Sequence, residues 1–598
     1  MEKSAKLQAI AVCSNHISAR YRFLGLMAGK VQNTIFLKHS AGKGNMRNGV
    51  TLFFVAILVS ACGQGEESSC LVDDSWVIGG ESGSELATDQ IFRRNNGAEP
   101  GTLDPHRAEG VTASNVLRDI FEGLVSETAN GEYIPGAAES WVISDDGKVY
   151  TFQIRSEARW SNGDPVTAED FVFSLRRSVD PETLSNYSSM LYPIKNARGV
   201  VRGEIPTEEL GVTALGPNVL QINLEESTPY FIGLLSHSIT YPVHPPSVKL
   251  HGSQFTRPEN LVSNGAFVLS EWKVQDYILV SRNKKYWGDV NTTLEQVFFY
   301  PLDNANSTLT RYRANELDFT DTVPSEQLPW IKDCLAAELH VSPYFGSYYY
   351  GFNMEKEPFK GNKPLRHALA MAIDRAVITE LVLGAGQIPA FTFIPPVKDY
   401  AGTPPEWAIW TQEDRDNKAK ELYREAGYDD SNPLSIEVVY NTSENHKRVA
   451  LAIASMWKQT LGVETSLRNQ EWKVFLETRR LKEDTEIFRG GWIGDYDDPY
   501  TFSELLHSEN EMNHSGFADE NYDALLKSAS EKSAGAERLR DLQDAESLML
   551  ETMPVIPLYF YVSQHLIKPW IVGLEGNALD HHQSKYIKVL RRERLPSD

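Results

Sequence analysis

One stretch of the chain is apolar without interruption: Val50–Ala61, V-T-L-F-F-V-A-I-L-V-S-A. Its length falls short of the about 20 residues a helix needs to cross a ~30 Å hydrocarbon layer. Arg47 just before it supplies the charged flank of a secretory leader. Beyond the leader the pattern turns amphipathic in two ways. Tyr150–Arg155 alternates and follows Asp145-Asp146-Gly147, which predicts a strand entered through a hairpin turn. Val219–Leu224, Leu434–Tyr440 and Val555–Val562 also read as short strands. Apolar residues recur at helical spacing over Ala168–Val179, with Thr167 placed to cap. Leu365–Ile373 reads as a helix whose first turn accepts Pro364. Lys418–Ala426 and Arg448–Leu461 complete the predicted helices. Strands and helices interleave along 598 residues, which predicts an α/β protein of several lobes.

The leader ends in Leu58-Val59-Ser60-Ala61-Cys62. Small residues before a cysteine resemble the bacterial lipobox, which implies cleavage before Cys62, its lipidation, and a flexible tether over Gly63–Ser69. The basic stretch Met1–Asn45 sets the apolar run far from the start, so Met46 is read as the initiator. Residues 1–62 hold eight of the 58 Lys and Arg but one of the 81 acids. The remainder is therefore strongly acidic, which excludes a nucleic-acid partner because phosphate asks for a cationic surface. Of four cysteines, Cys13 and Cys62 belong to the leader, and Cys70 and Cys334 form neither a disulfide framework nor a zinc spacing.

Catalytic signatures are missing: the chain has no G-x-S-x-G, no H-E-x-x-H and no phosphate loop ending in G-K-[ST]. Asp495-Tyr496-Asp497-Asp498 lacks the glycine and distal glutamate of a calcium loop, and His581-His582 reads as a surface pair. Neither a metal nor a cofactor is expected. Phe488-Arg489-Gly490-Gly491-Trp492-Ile493-Gly494-Asp495-Tyr496 is different, because it gathers a cation, an anion, glycines and aromatics. An extended segment of this kind can pair with a guest backbone while its charges meet the guest's termini.

Ordered blocks along the chain resemble the oligopeptide-binding proteins of bacterial ABC importers, within the peptide/nickel solute-binding family 5. They run from Arg94-Asn95-Asn96-Gly97 and Leu103-Asp104-Pro105-His106 through Phe121-Glu122-Gly123-Leu124, Ala138-Glu139-Ser140-Trp141 and Trp160-Ser161-Asn162-Gly163. They continue with Ser263-Asn264-Gly265-Ala266-Phe267, Tyr286-Trp287, Asn469-Gln470-Glu471-Trp472, Gly491-Trp492 and Lys568-Pro569-Trp570. The resemblance implies a two-lobed, hinged periplasmic-binding-protein fold of type II with an additional third domain. The implied division is leader 1–61, lipidated tether 62–85, lobe I from 86–121, 245–345 and 563–598, extra domain II 122–244, and lobe III 346–562. Asp495 matches the carboxylate that takes a peptide α-ammonium. Glu109, Gly110 and Val111 match one edge for the peptide backbone, and Gly491, Trp492 and Ile493 the other. Arg489, His446 and Arg479 match cationic positions for the peptide carboxylate, while Trp472, Tyr349 and Tyr561 match pocket walls. The family's cysteine pair falls on Gly346 and Ile493, so that bond is absent.

The implied function is a monomeric receptor in the periplasm or at the cell surface, held to the membrane by its lipid, that captures short peptides for the permease subunits of an ABC importer. A murein-peptide receptor shares the scaffold. A nickel or haem carrier fits less well, since Asp495 with Arg489 suits a zwitterion. A peptidase, or an adhesin or sensor that reuses the fold, belongs to a different class.

Overall fold

The computed structural model describes residue 70 and residues 76–79, 84–397 and 399–594. The leader, Cys62 and the tether to Ser69 lie outside the described residues. No described helix is long and apolar enough to cross a membrane.

Three sheets organise residues 84–594. In the first, Ile91–Asn95 pairs in parallel with Gln296–Tyr300, which is followed by Tyr277–Arg282 and Phe267–Lys273 in antiparallel order. Phe92, Val297, Phe299 and Ile278 fill its core together with Trp570 and Ile587. Segments from the beginning, middle and end of the chain thus share one apolar interior, and none of them buries its face alone.

The second sheet has the order Ala138–Ile143, Val149–Ile154, Val219–Asn223 and Val212–Gly216. The expected hairpin is there: Gly147 adopts φ +69° in the turn, a conformation glycine takes without steric cost. Helix Ala168–Val179 covers this sheet, and Asp170 accepts a bond from the Thr167 amide at its start (2.9 Å). Phe152, Trp160, Phe171 and Leu220 are fully buried beneath it.

The third sheet carries six strands, in the order Ile388–Pro389, Val555–Leu566, Leu339–Phe352, Ile487–Ile493, Ser435–Asn441 and Glu464–Gln470. Helices Lys363–Met371 and Glu444–Leu461 pack on it through Leu365, Leu369, Val449, Ile453 and Trp457. Gly462 ends the second helix at φ +76°. The strands Leu339–Phe352 and Val555–Leu566 outlast the rest. They pair from Leu339 opposite Leu566 to Gly351 opposite Val555, with register shifts between Pro343 and Ser347 and between Tyr348 and Tyr349. One end lies in the six-stranded sheet. At the other, Leu566 packs with Leu309 and Tyr312, and Ile567 enters the core around Phe92. This ribbon joins the two large lobes.

Two expectations are corrected. Cys70 and Cys334 form a disulfide that spans 264 positions. The sequence hid it because such a separation carries no spacing signal; helix Leu328–Cys334 brings the second sulfur to the first. His581-His582 is not a surface pair: His582 is buried beside Asp580, and His581 Nδ1 donates to the Glu127 carboxylate at 2.8 Å. Gly346 and Ile493 stand directly opposite each other, and the isoleucine side chain occupies the space beside the glycine.

The disulfide yields the first prediction. Cross-linking restricts the unfolded chain, by about 2–4 kcal/mol in typical cases. Cys334→Ser is expected to lower the thermal unfolding midpoint, and the oxidised parent to fall to the same midpoint in reductant. Equal midpoints for the oxidised parent and the variant would show that the bond adds no stability.

Candidate functional site

A cavity of about 400 Å³ lies among the three sheets. All thirteen residues expected to meet a peptide border it: Asp495, Glu109, Gly110, Val111, Gly491, Trp492, Ile493, Arg489, His446, Arg479, Trp472, Tyr349 and Tyr561. They come from separate parts of the chain. Glu109 and Gly110 precede helix Val111–Ile120. His446 stands in the first turn of helix Glu444–Leu461, where the Ser443 hydroxyl accepts from its amide. Arg479 belongs to helix Trp472–Leu481, and Tyr349 and Tyr561 to the joining ribbon.

The strand Ile487–Ile493 has an asymmetric environment. On one side it pairs with Leu339–Phe352 along its whole length, from Ile487 to Ile493. On the other it meets Ser435–Asn441 only at Ile487 and Phe488. From Arg489 onward that second edge has no neighbouring strand among the described residues, and this part of the strand borders the cavity. Gly491 keeps the edge low: a Cβ there would lie 2.6 Å from the Tyr561 hydroxyl and 2.8 Å from the Arg489 guanidinium. Gly110 faces the strand's lobe from the other side. At φ +82°, its missing Cβ would sit 2.9 Å from the Trp472 ring, so glycine allows the two lobes to approach this closely.

Charge is arranged unevenly. Asp495 is 13% exposed on its side chain, and burial pushes its pKa up to about 7, against the opposing effects of Arg118 and Thr501. Its amide donates to Thr501 Oγ1 (3.1 Å). The Oδ1 atom lies 3.6 Å from His237 Nε2, while Oδ2 is buried with no hydrogen-bond partner. His237 does not neutralise it. The Ile239 amide donates to His237 Nδ1 (3.2 Å), which leaves the ring proton on Nε2. Burial, with Arg118 and His581 nearby, takes the His237 pKa down to about 3, so the ring stays neutral.

Arg489 Nη2 donates to the Tyr561 hydroxyl at 2.5 Å and the guanidinium stands 4.8 Å over the Tyr348 ring. Arg479 lies 5.2 Å from the Phe475 ring centre. Neither arginine has an ion pair among the described residues, and the Nε of each is buried without a partner. Of the adjacent arginines at 479 and 480, the first faces inward. Arg480 bonds Glu477 at 2.7 Å on the exposed face of the same helix. His446 departs from expectation: burial and the Arg489 charge hold its pKa well below the usual value, so it enters as a neutral ring rather than a cation. Tyr187 and His237 from the second sheet's domain, and Asp321, Tyr344 and Asp580 from lobe I, also border the cavity. No motif announces these residues; they reach the site through the packing of distant segments.

These features have counterparts among known proteins. The model for bacterial extracellular solute-binding proteins, family 5, middle region, matches residues 132–514. The periplasmic oligopeptide-binding protein OppA of Escherichia coli is 39% identical over 515 residues, which cover 85% of this chain and 94% of that protein. The structure of the E. coli murein tripeptide-binding protein MppA matches with a TM-score of 0.83 at 38% identity, covering 85% of this chain and all of that one. Haemophilus influenzae OppA in complex with the peptide RPPGFSPFR also gives 0.83, at 36% identity, with coverage of 85% and 100%. The unliganded open form of MppA gives 0.62 at the same 38% identity. Sequence divergence is equal in the two MppA comparisons, so conformation makes the difference, and the lobes of this chain are arranged unlike those of the open form. The resemblance extends over sequence, fold and lobe arrangement alike: the chain belongs to the family 5 bacterial extracellular solute-binding proteins.

Proposed function

We propose that this protein is an extracytoplasmic receptor that encloses short peptides between its lobes and delivers them to the permease subunits of an ABC importer, anchored to the membrane through lipid on Cys62. It binds and does not catalyse. The observation that carries the reading is the complementary incompleteness of the cavity among the described residues: a buried carboxylate with one oxygen unpartnered, two arginines with no carboxylate, and a free strand edge beside them. A peptide zwitterion completes all three. Its ammonium meets Asp495, its carboxylate meets Arg489 or Arg479, and its backbone adds to the edge of Gly491–Ile493. Backbone pairing reads every peptide alike, and two arginines at different positions admit more than one length. Two relatives are named for peptide ligands, oligopeptide and murein tripeptide, while a third, 39% identical, is named for deoxycholate.

Native mass spectrometry on the soluble form that starts after Cys62, offered a library of two- to six-residue peptides, tests this reading. Retention of peptides with mixed sequence and one or a few lengths supports it. Retention of γ-linked murein peptides alone would assign the receptor to cell-wall recycling, and no retained peptide at all would refute it.

Two predictions concern Asp495. Removing one member of a buried charge pair costs about 3–5 kcal/mol, so Asp495→Ala is expected to weaken free-amine peptides by roughly that amount in calorimetry. N-acetylated peptides, weak on the parent protein, are expected to lose their disadvantage on the variant. The second concerns pH. The ammonium binds the ionised carboxylate, and the pKa of about 7 means half of Asp495 is charged at pH 7. Affinity therefore falls as pH drops through that value, by about fifty-fold from pH 7 to pH 5 when the bound carboxylate stays ionised throughout. Acetylated peptides should show no such slope.

A further inference from the structure

The zwitterion reading leaves one polar cluster at the cavity wall unused. His565, near the end of strand Val555–Leu566, meets Asp580 and His582 from the C-terminal segment. His565 Nε2 lies 3.0 and 2.9 Å from the two Asp580 oxygens, and His582 Nε2 lies 3.1 Å from Oδ1. The three donor atoms fall within 4.8 Å of one another, and this is the one such convergence of His, Cys, Asp or Glu among the described residues. His565 and His582 are buried, and Asp580 holds φ +57° to bring its side chain there.

The orientation of His565 matters most. Its Nδ1 lies 2.9 Å from the Thr320 carbonyl oxygen, which only accepts. Nδ1 therefore carries a hydrogen, and Nε2 faces the Asp580 carboxylate, which raises the pKa of the ring; once Nε2 loses its proton, its lone pair points at that carboxylate. Two acceptors at 3 Å need something positive between them, either a second proton or a metal ion. A neutral imidazole whose far nitrogen is held by a backbone carbonyl is the arrangement of a metal-ligating histidine with its outer-shell partner.

We propose that His565, Asp580 and His582 form a site for a divalent transition ion of borderline softness, such as Zn²⁺ or Ni²⁺. Two imidazoles and one carboxylate suit these ions better than Ca²⁺ or Mg²⁺, which prefer oxygen alone. The surroundings tolerate the added charge. Outside the cluster, the Asp321 carboxylate faces His565, and the Arg94 guanidinium stands near His582. Phe319 walls it, with ring centres 4.6 Å from His565 and 6.0 Å from His582. His565, Asp580 and Asp321 border the peptide cavity, so the cluster lies at its wall. No motif marks the site, because its ligands come from positions 565, 580 and 582 across a turn rather than from one helix face. It stands whether or not the peptide reading holds, since a bound ion needs no peptide.

Zinc titration tests the site. The purified protein is stripped with EDTA, then titrated with Zn²⁺ by calorimetry, with elemental analysis after gel filtration. One ion per chain is expected, with affinity at least about tenfold weaker in His565→Gln and in His582→Gln. Both variants should keep the parent's thermal unfolding profile. Failure of the parent to retain Zn²⁺ would overturn the proposal and leave a proton-bridged His–Asp pair. Equal affinity in folded variants would also overturn it, by placing the ion elsewhere. If the variants do not fold, Co²⁺ substitution of the parent decides: visible ligand-field bands of a four- or five-coordinate nitrogen–oxygen site support the proposal, and the spectrum of aqueous Co²⁺ refutes it.

Discussion

A carboxylate taken out of water is costly unless a positive group meets it, and that constraint governs the cavity. Asp495 is enclosed, its pKa stands near 7, and the neighbouring His237 is held neutral by its own burial. The protein thus keeps a charge it does not balance. Arg489 and Arg479 repeat the situation with the opposite sign, stabilised by aromatic faces and a tyrosine hydroxyl instead of carboxylates. Aromatic rings soften the burial of a guanidinium without neutralising it, which leaves both arginines able to take an anion.

The scaffold makes this imbalance affordable by distributing it. The carboxylate follows the strand Ile487–Ile493, the second arginine stands on a helix of the same lobe, and the wall opposite comes from lobe I and the second sheet's domain. Among the described residues the ribbon of Leu339–Phe352 and Val555–Leu566 runs continuously between the large lobes, and its register shift between Pro343 and Ser347 falls where it leaves the six-stranded sheet. Gly110 and Trp472 meet across the cleft with no room for a Cβ. Closure and ligand enclosure therefore involve the same contacts.

Much of the local structure was legible because it depends on short-range rules. The hairpin at Gly147, the helix behind Thr167 and the helix that begins near Pro364 follow from turn, cap and proline preferences. The strand expected over Val555–Val562 continues to Leu566, since its second half is held by pairing with Leu339–Pro343 rather than by its own alternation. The helix expected over Lys418–Ala426 extends back to Gln412, where the Thr411 hydroxyl accepts from the Asp414 amide.

The sequence by itself determined the family, the α/β class, the short elements and the thirteen residues that border the cavity, because ordered blocks and local propensities survive in one dimension. Tertiary structure alone decided the protonation and the partners. Which of Arg479 and Arg480 faces inward, why His446 is neutral, how Cys70 finds Cys334, and how His565 meets Asp580 and His582 all depend on burial and on contacts between distant segments. Desolvation and coordination act through space, and separation along the chain carries no record of them.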